Sequence, residues 1–103
     1  MPWVAIGEAN EVEPGEAKVY EVDDRRLAVC NTGDGFYVVA DICTHDGGPL
    51  GEGRLDDHRI ECPRHGGQFD VRTGRAVVLP AVRPVKTYPV RVEDGQIEVE
   101  MPE

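Results

Sequence analysis

No stretch of this chain approaches the roughly 18 consecutive apolar residues that a membrane-spanning helix requires. Its start, Met1-Pro2-Trp3-Val4, also lacks a basic segment followed by an apolar run. The expectation is a cytoplasmic protein with no membrane association. Positive charge is scarce: eleven Lys and Arg stand against twenty Asp and Glu, a formal charge of -9. Such a surface repels nucleic-acid phosphates and anionic lipid heads, so nucleic acid is excluded as a partner and a basic protein face is favoured. Residues 1 to 42 carry nine acids and three bases, whereas residues 71 to 103 carry five of each. That asymmetry either orients an encounter or serves only to solubilise. Cysteine is scarce as well. Three thiols cannot all pair, and cytosolic thiols stay reduced, so a disulfide framework gives way to metal binding as the better reading.

Long helical periodicity is also missing, and twelve Gly with eight Pro would interrupt it. Almost no helix is expected. What the chain has instead is a series of short segments rich in β-branched and aromatic residues: Lys18 to Val22, Arg26 to Cys30, Phe36 to Ala40, Thr87 to Val92 and the alternating Gln96 to Glu100. Turn chemistry separates them at Asp23-Asp24, Gly33-Asp34-Gly35, Thr73-Gly74 and Glu93-Asp94-Gly95. The spacing predicts an all-β, antiparallel fold, with residues 1–103 forming one domain. Residues 42–53 and 62–70 are rich in Gly, lack alternation, and are expected to be loops.

These two loops resemble each other. Cys43-Thr44-His45-Asp46-Gly47-Gly48 has a counterpart in Cys62-Pro63-Arg64-His65-Gly66-Gly67, each with a thiol, an imidazole and two glycines. Thiolate and imidazole bind borderline and soft metals, so Cys43, His45, Cys62 and His65 suit a four-ligand site. Two metals fit at this point. Zinc fingers of the Cys2His2 type usually place both Cys before both His, whereas the order here is Cys, His, Cys, His, with one of each per loop. A binuclear iron-sulfur centre clamped between two loops suits that order.

The run Cys43-Thr44-His45, sixteen intervening residues, then Cys62-Pro63-Arg64-His65-Gly66 resembles the Rieske iron-sulfur motif. The short strands, Gly74, Pro80 and the closing hairpin extend the likeness to the small Rieske ferredoxins over nearly the whole chain. That resemblance implies stacked antiparallel sheets and one [2Fe-2S] cluster held by Cys43 and Cys62 on an inner iron and by His45 and His65 on an outer one. It implies an electron shuttle from a flavoprotein NAD(P)H-dependent ferredoxin reductase to the terminal oxygenase of a bacterial multicomponent, ring-hydroxylating system. It also implies that Gly47, Gly48, Gly66 and Gly67 let backbone N–H groups approach the bridging sulfides, with turn formation as the simpler reading, and that Pro80 lies in a segment covering the cluster. Two departures from the high-potential Rieske proteins bear on redox potential. Gly48 and Arg64 stand where those proteins have two disulfide-forming cysteines, and Gly67 and Phe69 stand where they have a serine and a tyrosine that donate to sulfur. A low potential is expected.

Other residues have plainer readings. Cys30 sits in an apolar strand as a core thiol, His58 in a polar turn as a solvated histidine, and Trp3 packs as a strand residue. Nothing points to a nucleophilic triad, and four ligands leave neither iron open to substrate, so no catalytic site is expected. Two other readings are a zinc-stabilised interaction module and the small subunit of an assimilatory nitrite reductase. Members of the latter often lack some of the cluster ligands, and the presence of all four weighs against it.

Overall fold

Two aspartates start the fold: Asp23 and Asp24 adopt φ of 48° and 64°, the left-handed pair that a tight hairpin needs and that Asp tolerates. They join β2 (Glu16–Val22) to β3 (Arg25–Asn31) in a continuous antiparallel register from Glu16↔Asn31 to Val22↔Arg25. The Gly33-Asp34-Gly35 turn then leads into β4 (Phe36–Ala40), and β9 (Thr87–Tyr88) closes the four-stranded sheet in the order β2-β3-β4-β9. A three-stranded sheet is built from β1 (Trp3–Glu8), β11 (Gln96–Glu100) and β10 (Val90–Glu93), the last two joined through Asp94 and Gly95, both at positive φ. The third sheet runs β5 (Arg54–Asp56), β6 (Arg59–Glu61), β7 (Gln68–Asp70) and β8 (Ala76–Val78). This computed structural model describes residues 3–44, 47–63 and 66–101. Among them there is a single turn of 3-10 helix, Ala9–Glu11, and no α-helix. None of the described helices is long and apolar enough to cross a membrane.

The period of two explains how the middle sheet serves two cores. Leu27 and Val29 of β3, with Val38 of β4, pack against Tyr88, Ile97, Val99 and Met101 on one face. On the other face, Ala28, Cys30 and Val39 pack with Cys43, Leu50, Ile60, Cys62 and Phe69. Strand β3 is buried on both sides, which accounts for its unbroken apolar run. The second of these cores carries the two predicted ligand thiols.

The path between β4 and β9 is what positions them. Val38 pairs with Tyr88 and Val39 with Thr87, and the Ala40 N–H donates to the Lys86 carbonyl at 2.9 Å. The chain therefore leaves the middle sheet after Ala40 and returns beside its point of departure, with the third sheet and both Gly-rich loops in between.

Three expectations need correction. The predicted strand from Thr87 to Val92 is two strands in two sheets, divided at Pro89, which has no N–H for a ladder and whose carbonyl accepts from Glu100 at 3.0 Å. The second predicted loop, 62–70, ends at Gly67: Gln68–Asp70 forms β7, with Phe69 opposite Ile60. Three residues are too few for alternation to show. His58 is half-buried and paired, not freely solvated. Its side chain is 18% exposed, with Nε2 3.0 Å from Asp34 Oδ2 and Nδ1 3.2 Å from Asp57 Oδ1, and its ring meets Tyr37 edge-on. It ties the β5–β6 turn to the β3–β4 turn, 24 residues away in sequence. The Thr32 hydroxyl and then His58 hold the Asp34 carboxyl below its ordinary range. Trp3 lies in β1 as expected, with the Arg91 guanidinium 4.3 Å over its ring.

Candidate metal centre

Cys43 and Cys62 occupy equivalent places in two loops of one design. The Cys43 N–H donates to the Gly48 carbonyl at 2.7 Å, and the Gly47 N–H donates back to the Cys43 carbonyl at 2.7 Å. In the second loop the Cys62 N–H donates to Gly67 at 2.6 Å, and the Gly66 N–H donates to the Cys62 carbonyl at 3.0 Å. Each ring closes through a glycine in the left-handed region, Gly47 at φ 77° and Gly66 at φ 78°. A Cβ at either position would meet nothing within 4 Å, so backbone conformation and not space calls for glycine there. The N–H groups of Gly47 and Gly66 thus serve the turn. This is the turn-forming role that the simpler reading gives them.

Both thiols are 1% exposed and share one apolar core. No disulfide joins any two of the three cysteines. Cys30 is fully buried in the same core, where burial pushes its thiol up to about 12. It is an inert packing residue, as expected.

A third segment lies across the two loops. The Thr44 hydroxyl donates to the Arg83 carbonyl at 2.8 Å, and a Cβ on Gly67 would lie 3.0 Å from the Ala81 nitrogen. Residues 79–85, which include Pro80, therefore bridge the first loop to the second through Arg83 and Ala81. Leu79 and Val82 on this segment are 74% and 69% exposed, and Ile42 beside Cys43 is 45% exposed. Sequence reasoning missed Thr44, Ala81 and Arg83 as loop contacts. Only Thr44, inside the Cys-Thr-His run, carried a local signal.

His45 and His65 lie outside the described residues. Among the described residues, no three His, Cys, Asp or Glu gather into a group that could hold a metal ion. A groove of about 850 Å³ runs between β2 and residues 51–55, and neither Cys43 nor Cys62 lines it. The donor set nevertheless fits a [2Fe-2S] cluster. Two matched loops each present a thiol from the same dry core, and each continues directly into the segment that holds its histidine.

Comparison with known proteins bears on this arrangement. Residues 2–89 match the model of the Rieske [2Fe-2S] domain. The chain is 36% identical over 97 residues to the ferredoxin subunit of anthranilate 1,2-dioxygenase from Burkholderia cepacia, covering 94% of this chain and 90% of that protein. Its fold superposes on the Sphingomonas yanoikuyae B1 ferredoxin with a TM-score of 0.92, 36% identity and coverage of 98% and 100%. It also matches a chain in a complex of reduced oxygenase and oxidized ferredoxin in carbazole 1,9a-dioxygenase, with a TM-score of 0.87, 39% identity and coverage of 94% and 91%. These relatives set aside the zinc module and favour a dioxygenase ferredoxin over a nitrite reductase subunit. The chain belongs to the Rieske [2Fe-2S] domain family, as a ferredoxin of the dioxygenase type: an electron-transfer component with one [2Fe-2S] cluster as its cofactor, and not itself a catalyst.

Proposed function

We propose that Cys43 and Cys62 bind one iron of this cluster and His45 and His65 the other, and that the chain, acting as one Rieske domain over residues 1–103, passes single electrons from a flavoprotein NAD(P)H-dependent reductase to a terminal oxygenase. The observation that carries the ligand assignment is the pair of like loops, each with a buried cysteine at the head of the same hydrogen-bonded ring. The bound cluster supplies one-electron redox chemistry. The protein supplies the rest: the rings fix the thiols, the 79–85 segment lies across the loops, and the apolar core keeps water from the cysteine side. Support for an oxygenase partner comes from the related ferredoxin named in complex with its oxygenase. The -9 charge favours partners with a basic docking face. Gly67 offers no hydroxyl to a sulfide, and Phe69, fully buried, offers none to a cysteine sulfur. The midpoint is therefore placed toward the low end of the Rieske range of roughly -150 to +300 mV, which suits electrons descending from a nicotinamide-linked flavoprotein.

The test is metal and sulfide analysis of the purified chain with visible and paramagnetic spectra, repeated on His45→Ala and His65→Ala. About two irons and two labile sulfides are expected per chain, with loss of the normal spectrum in both variants. An unchanged spectrum in either variant overturns the ligand assignment. Reoxidation of the reduced chain by a dioxygenase, followed in a stopped-flow mixer, tests the carrier role.

A further inference from the structure

The two loops share a hydrogen-bonded ring but not a way of closing it at the base. The second leaves β6 and enters β7, and these strands pair directly through Ile60↔Phe69 and Glu61↔Gln68. The sheet itself holds its ends together. The first leaves β4 in one sheet and leads to β5 in another, and among the described residues no ladder joins those strands. Something else must bring its ends together.

We propose that Asp41 is that closure, a positioning residue that holds the first ligand loop in the shape presenting Cys43. This rests on the reading of Cys43 as a ligand. Asp41 follows β4 one step beyond the Leu27↔Ala40 pair, and its N–H still donates to the Arg26 carbonyl at 2.9 Å. Its side chain is completely buried. Oδ1 accepts from the Leu50 N–H at 2.9 Å and the Gly51 N–H at 2.5 Å, while Oδ2 accepts from Arg26 Nε at 3.1 Å. One carboxylate thus binds the entry of the loop to its exit and is itself anchored to β3.

The surroundings are shaped for this contact. A Cβ on Gly51 would lie 2.4 Å from Val19 Cγ2 and 3.0 Å from Asp41 Oδ1, so glycine is what lets the returning backbone reach the carboxylate. Leu50, fully buried, enters the same core as Cys43 and Cys62 and fixes the exit from the apolar side. Hydrogen bonds to an ionised acceptor are roughly twice as strong as neutral ones, and removing the buried carboxylate leaves the buried Leu50 and Gly51 N–H groups without this acceptor, while Arg26, about half exposed, can turn to solvent. A carboxylate here works as a two-amide latch that a neutral apolar residue cannot replace.

The experiment is hydrogen exchange with mass spectrometry on the intact holo-protein and on Asp41→Ala, Asp41→Asn and Arg26→Gln, with chelator-driven iron release and the visible spectrum recorded beside it. In Asp41→Ala, exchange across Gly47 to Gly51 should speed by about tenfold or more, with Gly66, Gly67 and β3 unchanged. Iron release should quicken and the visible bands should shift. Asp41→Asn keeps an acceptor at Oδ1 and should restore most of the protection and the band positions. Arg26→Gln should give a smaller acceleration confined to the same segment, and it carries the test if the alanine variant does not fold. Unchanged exchange at Gly47 to Gly51, or equal acceleration in both loops and β3, overturns the proposal. Retention of iron and spectrum in Cys43→Ser would instead defeat the ligand reading, while the exchange data still judge the latch.

Discussion

Residues 43–48 and 62–67 have nearly the same composition and the same internal hydrogen bonds, yet they are supported by unlike means. The second loop is an elaborated hairpin whose neighbours in the sheet hold it from both sides, with Ala81 against Gly67. The first is a crossing between sheets, tied by the Asp41 carboxylate at its base and by Thr44 to the Arg83 carbonyl at its tip. A repeated local motif therefore does not imply a repeated environment. The motif sets how a cysteine is presented, and the surrounding topology decides what must be added to hold it.

The sharpest way to break the likeness is to load one loop where it is crowded. In Gly67→Ser the new Cβ would meet the Ala81 nitrogen at 3.0 Å and the Ala81 Cβ at 3.1 Å, so the 79–85 segment must shift, at a cost of about 1–3 kcal/mol. If the hydroxyl reaches a sulfide, the midpoint rises as well, and Phe69→Tyr should raise it further. Denaturation midpoints and protein-film voltammetry report the two effects separately. A rise in potential without loss of stability would show that Ala81 yields freely.

The likeness itself is tested by Gly47→Ala and Gly66→Ala. Neither Cβ would meet anything within 4 Å, so the penalty is backbone strain alone, about 1–2 kcal/mol for each. Equal losses in chemical denaturation are expected, and a marked inequality would mean the rings differ in strain. Cys30 is the thiol outside both rings. Cys30→Ala should lower stability by about 1 kcal/mol as a core change and leave the cluster spectrum intact; loss of iron would contradict its assignment to packing.

Charge gives the smallest effect. The acid-rich segment 1–42 contrasts with the balanced segment 71–103. If that field steers docking, electron transfer to a partner should slow a few-fold as salt shortens the screening length to about 8 Å at physiological ionic strength. A flat salt response in stopped-flow mixing would leave the acids a solubilising role only.

The longer strands were legible, Phe36–Ala40 from its β-branched and aromatic content and Gln96–Glu100 from its period of two, and both appear with the bounds read from the chain. The three-residue strands β5 to β8 were not, since their pairing depends on neighbours and not on alternation within them. Pro89 was visible as a residue but not as the point where the chain changes sheets. His58 looked solvated because Asp34 and Tyr37 are remote in sequence. At the site, the Cys and His spacing was enough to name the family, and Pro80 pointed to a segment lying over the loops. Asp41 gave no signal, because a carboxylate two residues before a cysteine acquires meaning only when Leu50 and Gly51 return to it.

The neighbouring departure and return points on β4 and β9 give the region between them the character of a graft. Its two stems are already held side by side by Val38↔Tyr88, Val39↔Thr87 and the bond from Ala40 to Lys86. A host sheet can therefore carry such an insert without bringing distant ends together, and the entropy of closing it depends only weakly on its length. The same economy leaves the loops of the excursion open to change in length, while its apolar residues are bound to the host: Leu50, Ile60 and Phe69 cover Ala28, Cys30 and Val39, so a replacement must still close that face of β3, whose opposite face keeps its own core.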